Sequence, residues 1–323
     1  MNTIINKAKS LAIYAAASII GAGSLVSCSD FLEIEPQGEV TLEQFWNEKK
    51  DVENIVAGCY SALSSYGALS RMMIWGEFRA ENIVNNGVIQ DDVNLERLLK
   101  ENITASNVYT TWGDFYSVIN RCNTVMKYAP QVAANDPSYT QSQLEAHIAE
   151  VTALRSLCYF YLIRTFRDVP YSEEAYLDDD QVLDLPATKF DELLSKLIAS
   201  LEEVKGNALT KYPEVNTTKY WDYNRNRVTK DFVNALLCEM YLWQKNYDKC
   251  IEYADLIIKS KKKDALEERM TESDFIYFNG YPLIASRSKG TNIYGNAFSE
   301  IFANNNSMES IFELNFRKDD RNG

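Results

Sequence analysis

Ile148-Ala149-Glu150-Val151-Thr152-Ala153-Leu154-Arg155-Ser156-Leu157-Cys158-Tyr159-Phe160-Tyr161-Leu162 places apolar side chains at Ile148, Val151, Leu154, Cys158 and Leu162. Steps of three and four put all five on one face of an α-helix. The stripe predicts a helix from about Leu144 to Phe166, stopped before Pro170. Working outward, Thr188 with Asp191 predicts the cap of a further helix, whose apolar face runs from Phe190 through Leu194, Leu197 and Leu201 to Val204. Upstream, Trp112, Phe115, Ile119, Cys122 and Met126 mark another helix, which Pro130 is expected to end. Thr41-Leu42-Glu43-Gln44 reads as a capping box opening a helix that carries Phe45, Val52, Val56, Cys59 and Leu63. Two more helices are expected over roughly 230–244 and 247–259. The connecting stretches are of another kind. Residues 66–94 read as turn-rich, 211–227 as polar and aromatic, and the chain beyond Lys263 as irregular. Phe312, Leu314 and Phe316 alternate with polar residues as a strand does.

The fold class is therefore mainly α. Leu237-Cys238-x-x-Tyr241 followed by Cys250 resembles the large-small-aromatic pattern of a tetratricopeptide repeat, which lets two helices pack closely. Helices 144–166 and 188–204 look like a looser earlier pair. No strict period recurs.

The chain has 323 residues and a net charge of −13. This acidity argues against nucleic acid, which needs a basic face, and against electrostatic adhesion to anionic lipid. Of the 6 Cys, no two have metal-ligand spacing, and His147 is the single histidine, so neither a metal nor a cofactor is expected. Asp178-Asp179-Asp180 lacks the periodicity of a calcium loop and reads as a solvated turn. Five Cys sit in helical apolar patterns as small hydrophobes.

Cys28 is different. Lys7 and Lys9 precede an apolar run, Leu11 to Val26, of the length of a signal-peptide core. It ends in Leu25-Val26-Ser27-Cys28, which resembles a bacterial lipobox. Residues 1–27 are thus expected to be a lipoprotein signal peptide, with Cys28 lipidated as the mature N-terminus and the chain anchored to a membrane by acyl groups.

Ordered blocks along the rest resemble the SusD/RagB family. They are Cys28-Ser29-Asp30-Phe31-Leu32 with Pro36, Phe45-Trp46, and Trp112-x-x-x-Tyr116-x-x-Ile119-Asn120-Arg121-Cys122-Asn123. Next come Glu150 to Leu162, Phe166-Arg167-Asp168-Val169-Pro170, Arg227-Val228-Thr229-Lys230 and Ser310-Ile311-Phe312-Glu313-Leu314. The resemblance implies a SusD-like helical fold over 28–323, with tetratricopeptide-like helix pairs and irregular ligand-binding loops. It implies a lipoprotein on the outer face of the outer membrane that captures nutrient oligosaccharides and passes them to a SusC-like TonB-dependent transporter. A RagB-like peptide cargo is the alternative. Arg167 departs from the glycine usual in the family. The chain also stops where relatives continue, so the C-terminal portion is expected to be missing.

Ligand contacts are expected on irregular segments held by the helical frame. Trp75, Trp221 and Tyr281 are candidates for stacking on sugar faces, with Tyr220, Tyr223 and Tyr294 beside them. Arg79, Glu81 and Asn82 are candidate polar selectors, and the family block implies the acidic role for Glu81. A glycoside hydrolase would need a positioned carboxylate pair, and no motif singles one out. No serine-nucleophile, HExxH or phosphate-loop motif is present, so no catalytic residue is assigned and the chain is not expected to be an enzyme. A tetratricopeptide-like scaffold for a protein partner is the third reading.

Overall fold

The computed structural model describes residues 45–78, 92–177, 181, 184–213, 224–267, 270–284, 302 and 307–314. The chain divides into two units, Met1–Phe45 and Trp46–Gly323. Cys28 and the proposed capping box at Thr41 fall in the first, outside the described residues.

Among the described residues of the second unit, eight α-helices carry the fold: α1 (Lys49–Leu63), α2 (Tyr66–Met73), α3 (Val93–Leu99), α4 (Gly113–Asn135), α5 (Gln141–Phe166), α6 (Phe190–Val204), α7 (Lys230–Trp243) and α8 (Tyr247–Glu267). Two antiparallel ribbons accompany them, β1 (Val169–Pro170) with β2 (Ala187–Thr188), and β3 (Phe275–Phe278) with β4 (Tyr281–Ile284). The helices stack as successive pairs: α4 on α5, α5 on α6, α7 on α8, with α1 laid across α4.

α5 is the central helix. It buries Leu154, Cys158 and Leu162, and also Glu150, Arg155 and Tyr159, so it is enclosed on every side. Leu194, Leu197, Leu237 and Tyr241 are buried on the partner helices. Cys59, Cys122 and Cys158 are fully buried small residues of α1, α4 and α5, and burial pushes the Cys158 thiol up. Two long-range ties hold the ends of this stack. The Tyr60 hydroxyl donates to Glu150 Oε1 at 2.6 Å, and the Val228 backbone N–H donates to the Tyr60 oxygen at 2.9 Å.

Several expectations are corrected. Residues 66–78 are helical, α2 followed by one π-turn over Ile74–Phe78, and not a turn-rich stretch. Pro130 lies inside α4, which runs on to Asn135. Pro130 is exposed. The carbonyl it strips of a partner can therefore face water, which makes the proline tolerable. α8 extends to Glu267, well past Lys259. Thr188 does not cap α6 but pairs with Val169 in the β1–β2 ribbon. The helix start is tied from outside by Asp168, which accepts from the Phe190 N–H at 3.1 Å and from Lys189 Nζ at 2.6 Å. The strand expected over 312–316 is not formed at residues 311–314. Phe312 turns its ring onto Phe232 of α7 at 4.7 Å, so its burial comes from packing and not from strand pairing. The ribbon that does form, β3–β4, turns on Asn279 (φ 50°) and Gly280 (φ 87°). Asn-Gly between apolar runs is a hairpin turn because both residues tolerate positive φ.

α5 ends abruptly. Arg167 has φ 70° and ψ −77°, and the Asp168 N–H donates to the Phe166 carbonyl at 3.0 Å. This is a γ-turn of the strained kind, centred on a residue with a long side chain. Arginine is held here in a conformation that glycine adopts without strain.

Candidate ligand-binding site

The γ-turn throws the following loop, 169–177, back across the first half of α4, where three side chains one turn apart grip its backbone. The Tyr116 hydroxyl donates to the Pro170 carbonyl at 2.6 Å. Asn120 mimics a strand edge, giving Nδ2 to the Tyr176 carbonyl at 2.7 Å and taking the Tyr176 N–H on Oδ1 at 2.8 Å. Asn123 donates to the carbonyls of Ser172 (3.1 Å) and Glu174 (2.9 Å) and accepts from Arg155 Nη1 at 2.9 Å. Tyr159 of α5 closes the network, exchanging hydrogen bonds with the N–H and carbonyl of Ser172 at 2.9 and 3.1 Å. Burial pushes the phenols of Tyr116 and Tyr159 up, so both stay neutral donors. The block Trp112 to Asn123 thus has a physical reason: it holds a loop of irregular backbone whose polar groups would otherwise be unpaired.

Between this loop and the start of α4 lies a pocket of about 620 Å³. Trp112, Tyr116 and Tyr176 line it with aromatic rings, Ile119 and Leu177 add aliphatic surface, and Asn120 adds a polar group. Its size and its mixture of apolar surface with a few fixed polar groups are those of a small-molecule site. Asn123 has both amide hydrogens committed. Among the described residues Asn120 has one amide hydrogen engaged, and the second is open to a ligand oxygen. Trp112 sits at the N-cap of α4, half-buried. Its Nε1 is buried without an acceptor among the described residues, so ring carbon and not the N–H is what it offers.

Trp112 is braced by a ladder of rings. Phe166 meets it edge-on at 5.3 Å, and Trp75 meets the same Phe166 edge-on at 5.1 Å. Trp75 also stacks on Phe115 at 5.0 Å and donates its Nε1–H to the Tyr109 carbonyl at 2.8 Å. Trp75 therefore pins its own segment to the core and supports the pocket wall from behind. Tyr281 is 52% exposed and faces Phe278, 65% exposed, across the β3–β4 ribbon. It is not part of the pocket lining. Arg79, Glu81, Asn82, Tyr220, Trp221, Tyr223 and Tyr294 lie outside the described residues, as does Asp178-Asp179-Asp180. Reasoning from the sequence misses Trp112, Tyr116, Asn120 and Tyr176 as pocket residues. It assigns Trp112 and Tyr116 to the helix and its family block, although Trp112 opens the stripe at the helix entry, where a ring can leave the core.

His147 is structural. Its Nδ1 lies 2.8 Å from the Tyr139 hydroxyl, and burial holds its pKa below the ordinary histidine value. No helix among the described residues is long and apolar enough to cross a membrane.

No family model matches the chain. SusD-like protein P38 of Formosa agariphila is 33% identical over 193 residues, 58% of this chain and 36% of P38. SusD-like protein P25 of the same organism is 26% identical, covering 93% of this chain and 58% of P25. The chain thus spans between about a third and three fifths of these relatives' lengths. Among solved structures, a laminarin-binding SusD-like protein superposes with a TM-score of 0.54 at 19% identity, covering 66% of this chain and 44% of that one. At that identity the likeness concerns the fold alone. In sequence the chain is similar to SusD-like proteins, and in fold it is similar to a SusD-like protein of known structure.

Proposed function

We propose that this chain captures oligosaccharides without turning them over, at the pocket between α4 and the 169–177 loop, and delivers them to a SusC-like TonB-dependent outer-membrane transporter. The observation that carries this is the pocket itself: aromatic walls suit the C–H faces of pyranose rings, and the spare Asn120 hydrogen suits a hydroxyl. The naming of one fold neighbour for laminarin binding supports a glycan over a peptide. Attachment through lipid on Cys28 fits an acidic chain, since electrostatic adhesion to anionic lipid is disfavoured. Arg79, Glu81, Asn82, Tyr220, Trp221, Tyr223, Tyr281 and Tyr294 are proposed as further ligand contacts.

The test is calorimetric titration of the full chain with laminarin oligosaccharides, other glucan and mannan oligomers, and a peptide digest, with products followed by chromatography. Glycan binding without cleavage is expected. Trp112→Ala should weaken it by roughly 5- to 150-fold, taking the 1–3 kcal/mol of ring stacking seen with nucleic-acid bases as a guide. If Trp112→Ala binds normally while Tyr281→Ala does not, the site lies at the β3–β4 ribbon and not in the α4 pocket. Retention of peptides alone would favour the RagB-like cargo. Release of sugar products would overturn the non-catalytic reading.

A further inference from the structure

The α7–α8 pair carries a second kind of chemistry. Cys238 of α7 and Cys250 of α8 face each other across the helix seam with their sulfurs 3.6 Å apart. The Cys238 Sγ also lies 3.3 Å from the Cys250 carbonyl oxygen. Unlike the fully buried Cys59, Cys122 and Cys158, both are only partly buried. The helices are joined by a tight turn, Gln244 to Asn246, with Lys245 at φ 63°, so the two cysteines sit in one short antiparallel hairpin. A separation of 3.6 Å is non-bonded contact. Closing it to the roughly 2.05 Å of a disulfide needs about 1.5 Å of approach, within reach of side-chain rotation combined with a small shift of the seam.

We propose that Cys238 and Cys250 form a dithiol site that closes to an intramolecular disulfide when it meets a small-molecule disulfide. One thiolate attacks the reagent RSSR, its S–S bond breaks, and RS⁻ leaves, taking up the proton that the attacking thiol had lost. The second cysteine, as thiolate, attacks the protein sulfur of the mixed disulfide and expels the second RS⁻. In sum, two protein thiols and RSSR give Cys238–S–S–Cys250 and two RSH. The cysteines are oxidised and the reagent reduced.

Burial, and then the Cys250 thiol, push the Cys238 thiol up to about 11, so it keeps its proton at neutral pH. Its own attack is correspondingly slow, and exchange speeds up with pH. Proximity removes the need for a second encounter in the closing step. The bond would tie α7 to α8 beside Leu237 and Tyr241, and so stiffen the tetratricopeptide-like pair.

The experiment treats the folded full chain with oxidised glutathione at pH 7.5 and 8.5, blocks residual thiols, and maps tryptic peptides by mass. A cross-linked species joining residues 231–245 to 250–259 is expected, forming faster at the higher pH, with a melting temperature a few degrees above that of the reduced chain. Cys238→Ser should leave Cys250 with a single glutathione adduct and no cross-link, and Cys250→Ser the converse. Two results would overturn the proposal: separate 231–245 and 250–259 peptides, each alkylated or glutathionylated, or a cross-linked chain that melts below the reduced one.

Discussion

Glu150 and Arg227, 77 positions apart, form a two-pronged ion pair: Arg227 donates from Nε to Oε1 at 2.9 Å and from Nη2 to Oε2 at 2.7 Å. Glu150 is 3% exposed. The carboxylate holds the guanidinium's pKa above its ordinary value, and the guanidinium also lies over the Tyr212 ring at 4.2 Å. Removing the cation alone would strand a buried carboxylate. Arg227→Met is therefore expected to cost about 3–5 kcal/mol, whereas the double replacement Glu150→Met with Arg227→Met should recover most of it. Urea unfolding of the two variants checks this. Equal losses in both would mean that the packing around the pair matters and the charges do not.

His147 predicts a pH slope. Burial depresses its folded pKa, while in the unfolded chain it lies near 6.5. Above that value histidine is neutral in both states and contributes no pH dependence. As pH falls below about 6.5 the unfolded chain binds a proton that the folded one refuses, so stability drops until the folded pKa is passed. The chain has a single histidine, so His147→Gln should flatten the slope between pH 6.5 and 5. Melting temperatures across that window measure it, and an unchanged slope would place the acid sensitivity on other groups.

At Arg167 the strain of the γ-turn is set against the contact arginine makes by lying over the Phe190 ring at 5.7 Å, and the strain is expected to be the larger. Arg167→Gly should stabilise the fold by about 1 kcal/mol after the entropic cost of glycine in the unfolded state is allowed for. Arg167→Val, branched at Cβ, should destabilise it. A loss of stability with glycine would show that the ring contact is worth more than the turn costs.

Asn123→Ala would leave the Ser172 and Glu174 carbonyls and Arg155 Nη1 without their shared partner. A loss of about 1–3 kcal/mol is expected, with faster proteolysis in 169–177 than elsewhere. Uniform proteolysis along the chain would mean that Asn123 serves the core and not the loop.

The helices are legible in the sequence because the stripes of α1, α4, α5 and α6 are long and keep one period. Where a local signal competes with tertiary context, it misleads. Pro130 stops an isolated helix but is tolerated on an exposed face, and Thr188 has a cap pattern but is claimed by Val169. Asn279-Gly280 carries a clear hairpin signal that the aromatic character of the segment obscures. The pocket is the least legible feature. Its walls come from the helix α4 and a loop some 50 residues later, joined through Asn120 and Tyr176, and no local pattern reports such a meeting.

The tie between Val228 and Tyr60 spans 168 residues, and its consequence is kinetic. The α4–α5 and α7–α8 hairpins close through short connections and gain their contacts early. The Tyr60 tie must wait until α1, α5 and the segment before α7 have all arrived, because closing so long a loop costs chain entropy before any contact repays it. Tyr60→Phe should therefore speed unfolding while leaving the refolding rate nearly unchanged, a φ-value near zero. The stack would be assembled from its hairpins and latched last by a single phenol.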